Sequence, residues 1–315
     1  MLQYLADIVT YRLLGLTAGT RPAEALNFFL YDTVKIFIML SVIIFFVSIV
    51  RSFFPPEKTK KLLSHKRAFI GNIMAALLGI VTPFCSCSAV PVFIGFVEAG
   101  VPLGITFSFL ISSPMVNEIA LVMLWGLFGW QVAAVYMAAG LAVAVFGGLI
   151  IGRLKLENLV EEYVYQVKVA AADLAQLGWR DRALQALNYT GQVLRRVWIF
   201  VVAGIAVGGF IHGYAPEDFL AKWAGRDSLL AVPVAVAIGV PLYSNAAGTI
   251  PIVHALMEKG MSMGTVLAFM MAVTALSLPE MIILRNVLKP KLIGIFAAIL
   301  AVSIALVGYL FNIIL

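Results

Sequence analysis

Thr82-Pro83-Phe84-Cys85-Ser86-Cys87-Ser88-Ala89-Val90-Pro91 holds both cysteines of a 315-residue chain, two positions apart, between prolines and among hydroxyl side chains. No Lys or Arg occurs from Ala68 to Gly152, so the surroundings are compatible with hydrocarbon for a long way on either side. Prolines and serines in this density break a helix and free backbone N–H and C=O groups. Within a membrane, freed groups are tolerated only where they are buried in protein or line a polar cavity. The stretch therefore predicts a helix break at a functional site, with two thiols as its most distinctive chemistry.

The composition around it sets the class. Hydrophobic residues make up 62% of the chain and charged residues 12%, with a mean hydropathy of +1.02. A soluble domain is about half apolar and about a quarter charged, so the chain reads as an all-α polytopic membrane protein. The runs Val34–Val50, Gln131–Gly152, Val197–Phe210 and Leu292–Leu315 each approach the length of a spanning helix. Two cysteines are too few for a disulfide framework or a four-ligand zinc site, and no cofactor is expected. The net charge of +6 sits mostly in loops, where it reports orientation in the membrane rather than nucleic-acid binding. Asp7, Arg12 and Arg21 interrupt the leading apolar residues, so no signal peptide is expected and residues 1–24 read as an interfacial amphipathic segment.

The chain also repeats itself. A shift of about 160 residues pairs Ala25-Leu26-Asn27 with Ala186-Leu187-Asn188, Lys35 with Arg196 and Pro55 with Pro216. Further on it pairs Pro83 with Pro241, Ser86 with Ser244 and, after a two-residue insertion, Pro91 with Pro251. Glu98, Gly100 and Gly104 then match Glu258, Gly260 and Gly264, and Glu118 matches Glu280. The preserved order predicts two transmembrane repeats, 25–155 and 186–315, joined by a connector, 156–185. Leu156, Leu159, Val160, Tyr163, Val167, Leu174 and Leu177 recur in that connector at helical spacing, so it reads as an amphipathic helix on the inner face.

Loop charges orient the repeats. Arg51 to Arg67 carries six basic residues against one acid, whereas its mate, Ala215 to Ser228, carries two against three. Phe128 to Gln131 is uncharged, whereas Arg285 to Lys291 holds three basic residues. Basic loops stay in the cytoplasm, so the bias flips between mates, the mark of inverted-topology repeats. Residues 51–67, 153–196 and 285–291 are then inside and both termini outside. Gly/Pro-interrupted regions, 68–127 and 229–287, would supply broken or half-helices meeting near the midplane at 82–91 and 241–251. Further breaks are expected at Ser112-Ser113-Pro114 and Ser277-Leu278-Pro279. Gly148/Gly152 and Gly204/Gly208 have the spacing of close helix contacts.

The candidate site residues follow from those breaks. Cys85 and Cys87 carry soft sulfur, which selects thiophilic partners such as monovalent copper or trivalent arsenic; buried cysteine as a small hydrophobe is the bland alternative. Ser86 and Ser88 flank them, and Tyr243, Ser244 and Asn245 stand at the matching break, with Asn245 aligned to Cys87. Local satisfaction of freed backbone groups would equally explain those polar residues. Glu118 and Glu280 are the acids most deeply placed in apolar sequence, where a carboxylate marks a functional site and proton coupling is the chemistry it offers. Ser277-x-x-Glu280 also fits a capping box, while Ser113-Pro114 starts a helix before Glu118. Glu98 and Glu258 read as interfacial turn residues, and His254 and Asn72 as weaker pathway candidates.

With Thr82–Pro91 and Ser112-Ser113-Pro114-Met115-Val116-Asn117-Glu118, the chain resembles the ArsP/YraQ family of predicted permeases over nearly its whole length. The resemblance implies a secondary efflux permease of the bacterial cytoplasmic (inner) membrane for small thiol-reactive solutes such as trivalent organoarsenicals. It places Cys85 and Cys87 at the thiol motif. The expected partners are a small-molecule solute and the lipid bilayer, not nucleic acid, and assembly as a homo-oligomer stays open. No G-x-x-x-x-G-K-[ST] run is present to drive ATP-dependent transport, and no enzyme activity is expected. A permease for another sulfur-reactive solute or a metal complex, and a membrane thiol-disulfide oxidoreductase using the cysteine pair, are the alternatives.

Overall fold

The computed structural model describes residues 2–53, 68–82, 86–98, 100–161, 178–214, 230–242, 246–258, 260–285 and 287–315. Helix α1 (Leu2–Asp7) runs into a π-helical turn (Ile8–Leu13) and lies against the start of α2 (Arg21–Phe53). There follow α3 (Ala68–Val81), α4 (Ser86–Glu98), α5 (Leu103–Met115), α6 (Glu118–Phe128) and α7 (Trp130–Arg153). The same order then returns as α8 (Trp179–Tyr214), α9 (Ala231–Gly239), α10 (Ala246–Glu258), α11 (Met263–Ala275), α12 (Leu278–Leu284) and α13 (Pro290–Ile314). No strand occurs among the described residues.

Lengths sort these helices into two kinds. α2, α7, α13 and the combined α11–α12 are long and apolar enough to cross a membrane, and α5 with α6 makes a further crossing bent by 47°. The 14 residues of α3 and 13 of α4 reach only about 21 and about 20 Å at 1.5 Å per residue, short of a hydrocarbon core of about 30 Å. The centre of the molecule is α5 and α11, in which almost every side chain is buried. A helix that is apolar all round belongs in such a core.

Close packing recurs at a constant shift of 160. A Cβ on Gly104 of α5 would stand 2.5 Å from the Gly148 carbonyl and 2.8 Å from the Gly152 Cα on α7. Its mate Gly264 on α11 faces Gly308 and Asn312 of α13 in the same way. Gly79 and Gly239 approach the Phe109 and Phe269 carbonyls, and Gly100 and Gly260 turn the chain at φ of 75° and 89°. Within each series the first, third and last of these short and long helices pack as a trio, α3–α5–α7 and α9–α11–α13.

Several expectations change. Helix α2 starts at Arg21, four residues before the expected boundary, and Asn27 on it donates to the Asp7 carboxylate at 2.9 Å. Helix α8 starts at Trp179, inside the expected connector. The connector's first residues are not an amphipathic helix: Glu157–Leu159 is a 3₁₀ turn, and Val160 forms an antiparallel bridge with Leu288. Burial explains the difference, because Val160 and Leu288 are 2% and 0% exposed, and an extended strap lets both face inward. Most of the connector, 162–177, lies outside the described residues. The two-residue insertion also disappears. Helices α4 and α10 start 160 residues apart, as do the contacts of Gly79 and Gly239, so one shift runs through the break and pairs Asn245 with Cys85 rather than with Cys87.

Candidate functional site

The first broken crossing is built by Pro114 and Asn117. Pro114 lacks an N–H and sits in the last turn of α5, which ends one residue later. Asn117 then adopts φ −115° and ψ 162°, and its Oδ1 accepts the N–H of Ala120 at 2.8 Å. The cap of α6 is therefore Asn117, and Ser113-Pro114 lies buried inside α5 rather than starting a helix.

The second break carries its cap at the same shift. Ser277 stands at the N-cap of α12 with φ −68° and ψ 143°, 160 residues after Asn117, but makes no side-chain cap hydrogen bond. The expected capping box does not form. Pro279 at the second helical position has no N–H, which removes one of the two donors that a cap oxygen can take. The N–H of Leu278 donates instead to the Val240 carbonyl at the end of α9, at 2.7 Å.

With Asn117 and Ser277 as mates, Glu118 is the first residue of α6 and Glu280 the third of α12. Two positions turn a helix by about 200°, so the two acids point in opposite senses relative to their helices. Glu118 is exposed and Glu280 only 1% exposed. The sequence match of one acid to the other was thus two residues out of register.

Cys85, Tyr243, Ser244 and Asn245 lie outside the described residues. Ser86, Cys87 and Ser88 form the first turn of α4, with side chains outside the described part. What the helices do show is an exchange between the two halves. Helix α4, which follows the thiol break, packs on α12, the half-helix of Glu280; helix α10, which follows the second break, packs on α6, the half-helix of Glu118. The four broken segments are thus interlocked across the halves.

The weaker candidates separate. Asn72 is buried, and its Oδ1 accepts from the Ser108 hydroxyl at 2.7 Å, a contact between α3 and α5. His254 is exposed on α10 with its ring 6.3 Å from that of Phe128 at the end of α6. Glu98 and Glu258 end α4 and α10 just before the positive-φ turns at Gly100 and Gly260. Tyr136, like Ser108 and Thr274, is a buried polar residue that the sequence reading does not single out. Tyr136 on α7 is fully buried, and its hydroxyl donates to the Met115 carbonyl at 2.9 Å. The available signal was its mate at the 160 shift, Phe296, which lacks the hydroxyl.

On the side of α12 away from its cap, the connector closes over the turn. Glu161 N–H donates to the Val287 carbonyl and Lys289 N–H to that of Leu159, both at 2.9 Å. Arg285 Nη1 meets Glu161 Oε1 at 2.8 Å.

A family model described as predicted permease matches residues 22–313. The chain is 27% identical to the UPF0718 protein YraQ of Escherichia coli (strain K12) over 261 residues, covering 83% of this chain and 73% of that one. It is 21% identical over 308 residues to the UPF0718 protein MJ0584 of Methanocaldococcus jannaschii, covering 80% and 84%. A Streptococcus mutans protein named as a subunit of a two-component membrane permease complex is 22% identical over 260 residues, covering 82% and 84%. No solved structure matches the chain.

Proposed function

The chain belongs to the predicted permease family and is a multi-pass membrane transporter, and we propose that it exports small thiol-reactive solutes, trivalent organoarsenicals among them, by alternating access. The observation that carries this reading is the reciprocal packing of α4 on α12 and α6 on α10. It supports a shared central region, because the helices that follow the two breaks each pack on a half-helix of the opposite half.

The helix pairings favour inverted repeats. Three helices meet their own mates, α2 with α8, α5 with α11 and α7 with α13. A two-fold axis parallel to the helices brings few pairs of mates together, because only helices beside it can touch. An axis in the membrane plane can pass between several pairs in a row. Inversion requires an odd number of crossings in each half; α2, α5–α6 and α7 supply three, so in this scheme α3–α4 returns to its own side as a re-entrant hairpin. As the mate of α3–α4 at the 160 shift, α9–α10 is re-entrant in the same scheme. Both termini are then outside, and the bridge at Val160 and Leu288 is cytoplasmic.

The chemistry follows from soft sulfur. A monosubstituted arsenic(III) centre, R–As(OH)₂, has two exchangeable As–O bonds. Each thiol of Cys85 and Cys87 forms one As–S bond, its proton leaving with the displaced hydroxide as water. Exchange at one sulfur at a time keeps the solute releasable. Glu280, with Glu118 as the more accessible acid, would couple the cycle to protons.

The test is uptake of phenylarsenite by everted vesicles. Wild-type protein takes it up, and Cys85→Ser and Cys87→Ser each abolish the uptake. Intact uptake in both variants overturns the thiol mechanism; no uptake by the wild type overturns the solute class.

A further inference from the structure

The two broken crossings are anchored by different means. The second is tied by main chain within its own half, through Leu278 N–H and the Val240 carbonyl. The first is tied by a side chain. Met115 is the last residue of α5, and the α5–α6 break deprives its carbonyl of the N–H that a continuous helix would supply. In an apolar interior that oxygen needs a partner, and the Tyr136 hydroxyl of α7 provides it at 2.9 Å.

Tyr136 is also at the contact between halves. Thr274 of α11, from the other half, lies close to the phenol, while its own hydroxyl donates to the Met270 carbonyl at 2.9 Å. Thr274 stands 160 residues after Pro114, so the break-proximal position of the second half meets the first half here. The mate of Tyr136, Phe296 on α13, likewise reaches across, packing its ring 5.2 Å from that of Phe107 on α5. The same crossing is polar on one side of the axis and apolar on the other.

We infer that Tyr136 is a positioning residue of the transport cycle: its phenol fixes the Met115 carbonyl at the α5–α6 break, and so sets the angle at which Asn117 and Glu118 enter the pathway, in register with the opposite half. This rests on the transport reading above. A hydrogen bond from a rotatable phenol can be broken and remade at low cost, whereas a longer α5 would make the break rigid. The hinge of the first crossing is therefore read by α7 and α11 together, while the second hinge answers to its own hairpin.

Tyr136→Phe keeps the ring and removes the one hydroxyl. The experiment compares it with wild type in phenylarsenite uptake, scaled to folded protein measured by size exclusion, and in labelling of the two native cysteines. Labelling uses a membrane-impermeant maleimide, with the ratio between everted and right-side-out vesicles as the readout and no solute added. We expect the maximal rate per folded transporter to fall at least tenfold with KM within twofold, and the labelling ratio to shift at least threefold. Thr274→Val should shift the ratio in the same direction by less. A maximal rate within twofold of wild type, or a labelling ratio unmoved in both variants, overturns the inference. If wild type carries no phenylarsenite, the solute class fails, and the labelling ratio alone still decides the role of Tyr136.

Discussion

Glu118 and Glu280 stand in the second segments of two broken crossings, after caps 160 residues apart, yet they differ by two positions in register, and only Glu280 is buried. A carboxyl that must take up and release a proton during transport gains most from being sequestered. Glu280→Gln should abolish the dependence of vesicle uptake on a pH gradient while leaving downhill exchange measurable. Glu118→Gln should lower the rate by no more than about threefold and keep the gradient dependence. The reverse ranking would remove Glu280 from the coupling step.

Gly104 has no room for a methyl group. The nearest atoms are backbone of Gly148 and Gly152, which cannot rotate away. Gly104→Ala should lower stability in detergent by about 1–3 kcal/mol, the usual cost of overpacking. Gly126→Ala is the control, since nothing lies within 4 Å of its added Cβ; there the helix should gain up to about 1 kcal/mol. Thermal unfolding of the purified protein followed by size exclusion separates the two.

How much of this was legible in the sequence depends on what each residue does. The breaks were legible because Pro and Ser in apolar sequence have few other uses, and the doubled architecture because Gly100 and Gly104 recur as Gly260 and Gly264. The register through the first break was not, since Pro83 and Pro241 match by type while the true constraint is the helix start at Ser86 and Ala246. Asn117 is hard to read as a cap because Ser113-Pro114 looks like a stronger one; burial inside α5 is a tertiary effect that no local pattern encodes. The strap at Val160 was hidden for a similar reason. Its partner, Leu288, is 128 residues away, and period-3.6 spacing alone cannot distinguish an amphipathic helix from a short bridge.

That strap invites a comparison of its two kinds of contact. Arg285 and Glu161 are 45% and 28% exposed in their side chains, so Glu161→Gln should cost less than about 1 kcal/mol. Val160→Asp puts a charge at a position 2% exposed and should cost about 3 kcal/mol or more. Chemical denaturation in detergent micelles measures both. Equal losses would mean that the ion pair, rather than the buried bridge, holds the connector to the α12–α13 turn.

The polar contact between α3 and α5 offers the last test, because the second half solves the same crossing without it. Ser108 donates to Asn72 Oδ1 at 2.7 Å beside Gly148, and its hydroxyl also reaches the Ala144 carbonyl at 2.9 Å. At the 160 shift those positions are Val232 and Ala268, and both pack directly on Gly308. A buried polar group deprived of its partner costs more than the pair was worth, whereas replacing both partners by apolar groups of similar shape can be nearly neutral. Ser108→Ala alone should therefore lose about 1–2 kcal/mol. Asn72→Val combined with Ser108→Ala should recover most of it, giving a coupling of at least about 0.5 kcal/mol in a double-mutant cycle. Additive losses would show that Asn72 owes its place to something other than Ser108, and that the two halves are not interchangeable at this crossing.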